Sequence, residues 1–110
     1  MPTVLASAEQ RRRRSNSYDA GEVPLGVTME VRTRNSLYYF VFTPEFRHVF
    51  SDGVCGVIVT SSNKELSAGS PHNTSVDRFI RRGEPLSFGV GRASTTSPVQ
   101  SVYVGGRKVL

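Results

Sequence analysis

The sequence predicts an all-β fold, a small SH3-like or OB-like barrel of five to seven short strands behind a disordered basic N-terminal tail. Three observations predict it. Apolar residues recur with period two in several short runs, as half-buried strands require. Ten glycines and six prolines punctuate a chain of 110 residues, so turns are frequent. Five of the ten aromatic residues (Tyr38, Tyr39, Phe40, Phe42, Phe46) fall within nine positions, which puts the heaviest core-forming material in one segment. A chain of this length fills one core and not two, so residues 25–110 are read as a single β domain and residues 1–24 as the tail.

Residues 1–24 show neither a helical nor a strand period, and the reading makes them dispensable for folding. From Val27 the pattern changes. Val27, Met29, Val31 and Thr33 alternate with Thr28, Glu30, Arg32 and Arg34, giving a strand over 27–34. Asn35-Ser36 makes a turn or bulge in which Asn35 tolerates the left-handed conformation. Leu37 to Phe42 is apolar on both faces. If the alternation of the first strand continues, Leu37, Tyr39 and Val41 point inward, and Tyr38, Phe40 and Phe42 form an exposed aromatic row. Phe46 to Phe50 reads as a short strand, Ser51-Asp52-Gly53 as a hairpin turn, and Val54 to Thr60 as the next strand, with Cys55 a small buried hydrophobe. Residues 61–74, whose one large apolar side chain is Leu66, read as a surface loop. Val76 to Arg82 fits a short strand or a single helical turn. Leu86 to Val90 and Val99 to Val104 complete the strands.

The net charge is +5, carried by twelve Arg and two Lys against nine acidic residues. Arg11, Arg12, Arg13 and Arg14 lie in the tail, yet the remainder of the chain still carries +4, so the body itself is basic. Arg bonds planar phosphate and carboxylate groups in pairs, which directs attention to Arg32, Arg34, Arg78, Arg81, Arg82 and Arg92 beside the aromatic segment. One Cys and two distant His cannot supply a zinc site, and no cofactor motif is present. Gly89-Val90-Gly91-Arg92 lacks the lysine and helix of a phosphate loop. No nucleophile–base pair or paired carboxylates stand out, so the chain is read as a non-enzyme. A lone cysteine and the lack of a long apolar run suit a cytoplasmic protein with no membrane contact. Ser15 and Ser17 follow the Arg run as basophilic-kinase sites would.

Two segments, Thr33-Arg34-Asn35-Ser36-Leu37-Tyr38 and Thr95-Thr96-Ser97-Pro98-Val99, resemble a TRNSxY and TTSPV pair found in small uncharacterised bacterial β-domain proteins. The resemblance implies a bacterial, compact β domain and no particular activity. Physically, the Ser and Thr hydroxyls of both segments can cap backbone groups at strand ends, closing the fold. The expected function is a non-catalytic binding module for a protein partner or a second copy through Tyr38, Phe40 and Phe42. The alternative is a nucleic-acid-binding barrel using the Arg surface and tail.

Overall fold

The structure, a computed structural model, describes residues 16–61 and 74–110. Among them are eleven strand segments and no α-helix: β1 (Ser17–Asp19), β2 (Thr28–Thr33), β3 (Leu37–Phe42), β4 (His48–Val49), β5 (Gly53–Ser61), β6 (Thr74–Asp77), β7 (Phe79–Arg81), β8 (Ser87–Gly89), β9 (Ser94–Thr95), β10 (Val99–Val104) and β11 (Arg107–Lys108). Single 3₁₀ turns occupy Ala20–Glu22 and Val90–Arg92. Nine segments form one antiparallel sheet in the order β11-β10-β2-β3-β5-β6-β8-β9, with β4 also paired to β5, and β1 and β7 form a separate ribbon. The all-β class is as expected. The segments outnumber the expected five to seven because several are fragments of only two or three residues at the sheet ends. Their ladders form no closed barrel among the described residues. No helix among these residues is long and apolar enough to cross a membrane.

The core lies on one face of the sheet. Met29 and Val31 of β2, Phe40 and Phe42 of β3, Val54, Val57 and Val59 of β5, Val76, Phe88, Val99 and Val102 all point into it and are buried. Tyr38 and Phe40 meet Phe88 at ring centroid distances of 5.3 and 5.7 Å. The face assignment of β3 is therefore the reverse of the expected one: Phe40 and Phe42 are core, Tyr38 packs against it, and Leu37, Tyr39 and Val41 line the opposite face. The hairpin register explains the reversal. Met29 pairs with Phe40, Val31 with Tyr38 and Arg32 with Leu37, and the Thr33 amide bonds the Ser36 carbonyl, so the turn that closes the hairpin is the two residues Arg34 and Asn35. Directly opposed residues share a face, and a two-residue loop then joins odd positions of β2 to even positions of β3.

Residues 16–24, placed in the tail by sequence, belong to the fold. β1 pairs with β7, and Ala20 and Val23 are fully buried. Asp19 accepts two hydrogen bonds from Arg78, each of 3.0 Å, and Arg47 donates to the carbonyls of Gly21 and Val23. Residues 1–15, including Arg11, Arg12, Arg13, Arg14 and Ser15, lie outside the described residues, as do 62–73 of the expected loop with Leu66 and His72. The open choice at 76–82 resolves as strand, with β6 ending at Asp77 and β7 following.

The two hydroxyl-bearing segments meet. The Ser97 hydroxyl donates to Thr33 Oγ1 at 2.9 Å and accepts from the Asn35 amide at 3.1 Å, while the Arg34 amide bonds the Pro98 carbonyl at 3.0 Å. Thr96 Oγ1 accepts from the Leu86 amide at 3.0 Å. Hydroxyls thus satisfy backbone groups where strands end, as the sequence suggested. Asn35 itself does not adopt the left-handed conformation. Among the described non-glycine residues Arg92 alone has positive φ, at 51°.

Candidate functional site

The β4–β5 hairpin, the bulge before it and the end of the β1–β7 ribbon next to it carry four of the six exposed large apolar side chains among the described residues, the other two being Leu25 and Val90. β3 and β4 lie one after the other along the same edge of β5, with Phe42 opposite Val57 and His48 opposite Cys55. Between them Thr43 to Arg47 bulges out over Gly56, whose φ is +79° and where any Cβ would fall inside the backbone of Phe46 and Arg47. The bulge leaves Phe46 half exposed, and the hairpin turn that the Phe50 amide closes on the Gly53 carbonyl, at 2.7 Å, leaves Val49 and Phe50 outside as well. Phe46, Val49, Phe50 and Phe79 are 47%, 40%, 51% and 48% exposed. A small domain seldom leaves three phenylalanines half in water.

Arg78 joins Val49, Phe50 and Phe79 into one surface. Its guanidinium lies 4.9 Å from the Phe79 ring centre, donates to the Phe50 carbonyl at 3.2 Å and is held by Asp19. Gly21, which abuts the same guanidinium, also abuts Val49. The His48 ring lies 4.4 Å from that of Phe50. On the far side of the hairpin, Arg92 donates to the Asp52 carboxylate at 2.9 Å and to its carbonyl at 3.0 Å, and lies 3.6 Å from Asp77. Its guanidinium fills the space beside Gly53 that a side chain there would need. The hydrogen bond from Arg92, and then its charge, hold the Asp52 carboxyl below its ordinary value. A depression of about 320 Å³ lies between this hairpin and the Val90–Arg92 turn, lined by Phe50, Asp52, Cys55, Ser75 and Arg92 among others. Cys55 is half-buried there rather than core, because the bulge at Gly56 turns it outward.

The expected interface residues Tyr38, Phe40 and Phe42 do not form this surface. The sequence signal for the residues that do was the segment Phe46 to Phe50, in which Arg47 and His48 interrupt the apolar residues without a two-residue period. Phe79 carried no such signal.

The six candidate arginines, Arg32, Arg34, Arg78, Arg81, Arg82 and Arg92, do not gather into one patch. Arg78 and Arg92 are held by carboxylates at the hairpin end. Arg81 and Arg82 are exposed at the other end of the β1–β7 ribbon, beside Asn16, Ser17 and Glu84. Arg34 is exposed in the β2–β3 turn. Arg32 bonds Glu30 at 2.6 Å and lies 4.7 Å from the centre of the Tyr103 ring, on the sheet face opposite the core. There, Tyr103, Glu30 and Tyr39 stand in one row across β10, β2 and β3. Among the described residues no three His, Cys, Asp or Glu side chains converge as metal ligands would.

The fold and surface together define an all-β domain with an exposed apolar end. Compared with protein-family models, curated proteins and solved structures, the chain matches none.

Proposed function

We propose that the chain is a non-catalytic binding module that docks a protein partner, or a second copy, on the surface formed by Phe46, Val49, Phe50 and Phe79. The observation that supports it is the half exposure of Val49, Phe50 and Phe79 around a single Arg78 guanidinium, with Phe46 half exposed in the bulge that precedes β4. Three rings at that exposure present about 300 Å² of apolar surface at the usual area per ring, enough for the apolar centre of a small interface. Arg78, Arg92 and their carboxylates form the polar rim that such interfaces carry. The test compares the wild type with a Phe50→Ser, Phe79→Ser double variant, whose altered side chains already face water. The wild type is expected to associate, with itself in sedimentation or with a protein retained on a column, and the variant to lose that association. Equal behaviour of the two overturns the reading.

A second reading, nucleic-acid binding, rests on a different observation: Tyr103 and Tyr39 flank Glu30 on the outer sheet face, with Arg32 over Tyr103 and Lys108 paired across from it. Bases stack on such rings while cations hold the backbone. It requires salt-sensitive binding of a single-stranded oligonucleotide that Tyr103→Ala weakens, and it fails if no binding occurs at low salt.

For the finer architecture we keep the small barrel. Its support is that β9 leads through residues 96–98 into β10, so that the two halves of one continuous segment pair with β8 and with β2. A cytoplasmic location rests on the single free thiol.

A further inference from the structure

We propose that the outer face of the sheet holds a guanine base of a single-stranded nucleic acid between Tyr39 and Tyr103, with the Glu30 carboxylate reading its Watson–Crick edge. The proposal rests on the nucleic-acid reading of this face and adds to it the base that the face selects.

Tyr103, Glu30 and Tyr39 are directly opposed across β10, β2 and β3, so their side chains leave the same face of the sheet. The two tyrosines are two strands apart, about 10 Å. Two offset stacking contacts of about 5 Å each span that gap, so one flat ring fits between them, with Glu30 on the strand below it. Both tyrosines are half-buried, and with Thr28, Glu30, Arg32 and Gly106 they line a depression of about 330 Å³.

A planar donor group already occupies part of this site. The Arg32 guanidinium lies 4.7 Å from the Tyr103 ring centre and donates through Nε to Glu30 Oε2 at 2.6 Å. These are the two contacts that a base needs here: a flat face on a tyrosine ring and N–H donors on the carboxylate. The Arg32 side chain is 50% exposed, so the ion pair is weakly held and a ligand can displace it.

A carboxylate only accepts hydrogen bonds, and a ligand that replaces the guanidinium must offer N–H donors side by side. Guanine does so with N1–H and N2–H. Adenine and cytosine place an acceptor nitrogen beside the amino group, and thymine and uracil flank their one N–H with carbonyl oxygens. Each of these sets a lone pair against a carboxylate oxygen. Charge decides between a nucleotide and a cationic ligand, which two tyrosines and a carboxylate would otherwise suit. Lys108, opposite Tyr103 on β11, and the displaced Arg32 bring two positive charges against the one negative charge of Glu30. They repel a cation and bind the phosphates that flank the base.

The experiment titrates the full chain at low salt with four pentanucleotides, thymidine throughout except for a central guanine, adenine, cytosine or thymine, and follows the ring signals of Tyr39 and Tyr103. The guanine strand is expected to bind about tenfold more tightly than the others, the usual worth of one bidentate contact. Glu30→Gln keeps the shape of the surface and is expected to bind all four alike. Binding without preference, or a guanine preference that survives Glu30→Gln, overturns the proposal and leaves the nucleic-acid reading standing. Absence of binding to all four at low salt overturns both.

Discussion

Thr33 and Thr96 are the buried polar side chains among the described residues, and both serve as junction pieces. Thr33 Oγ1 donates to the Ser36 carbonyl and accepts from the Ser36 amide and the Ser97 hydroxyl, at 3.0, 3.1 and 2.9 Å. Thr33→Val keeps the shape but strands these groups, and a loss of about 1–3 kcal/mol is expected in urea unfolding. Thr33→Ser, which keeps the oxygen, should restore most of it. A second prediction concerns Tyr18, whose phenol is raised above its ordinary value of 10.0 by burial, with the charges of Glu22 and Asp19 adding to the effect. The folded protein holds this proton more tightly than the unfolded chain. Its contribution is therefore complete below pH 10 and is lost as pH rises through the folded value. Tyr18→Phe should lose stability less steeply than the wild type in that alkaline range. Asp52 acts in the opposite sense: its depressed carboxyl stabilises the fold above the ordinary value of 3.8 and ceases to do so as pH falls through the lower folded value.

At the scale of elements, β3 sets how much of the fold the sequence reveals. Its position and the span of β10 were legible from apolar runs alone, and β2 showed its inward face correctly because Met29, Val31 and Thr33 alternate with charged residues. β3 has no such contrast, since both faces are apolar, and its orientation depends on the length of the loop before it. Nothing local distinguishes a two-residue from a three-residue connection at Arg34-Asn35-Ser36, yet the choice exchanges Phe40 for Tyr39 in the core. The consequence is measurable. Phe40→Ala should destabilise by about 3–5 kcal/mol, as deletion of a buried ring does. Tyr39→Ala, on the opposite face, should cost far less. Equal costs would mean that the register is wrong. The candidate site was hidden for a related reason. Phe46 and Phe50 are exposed by a bulge whose cause is the contact between Gly56 and the backbone ten residues earlier, and Phe79 is placed by pairing with β1, which the sequence reading had assigned to the tail.

For the whole molecule, the boundary between tail and domain determines what a truncation does. Residues 16–24 lack a periodic apolar face, and so they resemble linker in sequence. Their attachment is made by two small buried side chains, Ala20 and Val23, and by arginines far along the chain. Arg47 needs the carbonyls of Gly21 and Val23, and Arg78 needs Asp19. The Ala20 amide bonds the Arg78 carbonyl at 2.6 Å, and the Arg82 amide bonds the Asn16 carbonyl at 3.0 Å. Deleting residues 1–15 removes none of these groups and should leave the thermal midpoint unchanged. Deleting residues 1–24 removes all of them, takes Ala20 and Val23 out of the core, and leaves the Arg47 guanidinium without its two carbonyl acceptors and Arg78 without Asp19. Burial of two such side chains and the loss of several hydrogen bonds to charged groups amount to several kcal/mol, a large share of the stability of a domain this size. The longer truncation is therefore expected to melt far below the full chain or to remain unfolded, and a melting curve equal to that of the shorter truncation would show that residues 16–24 are not part of the core.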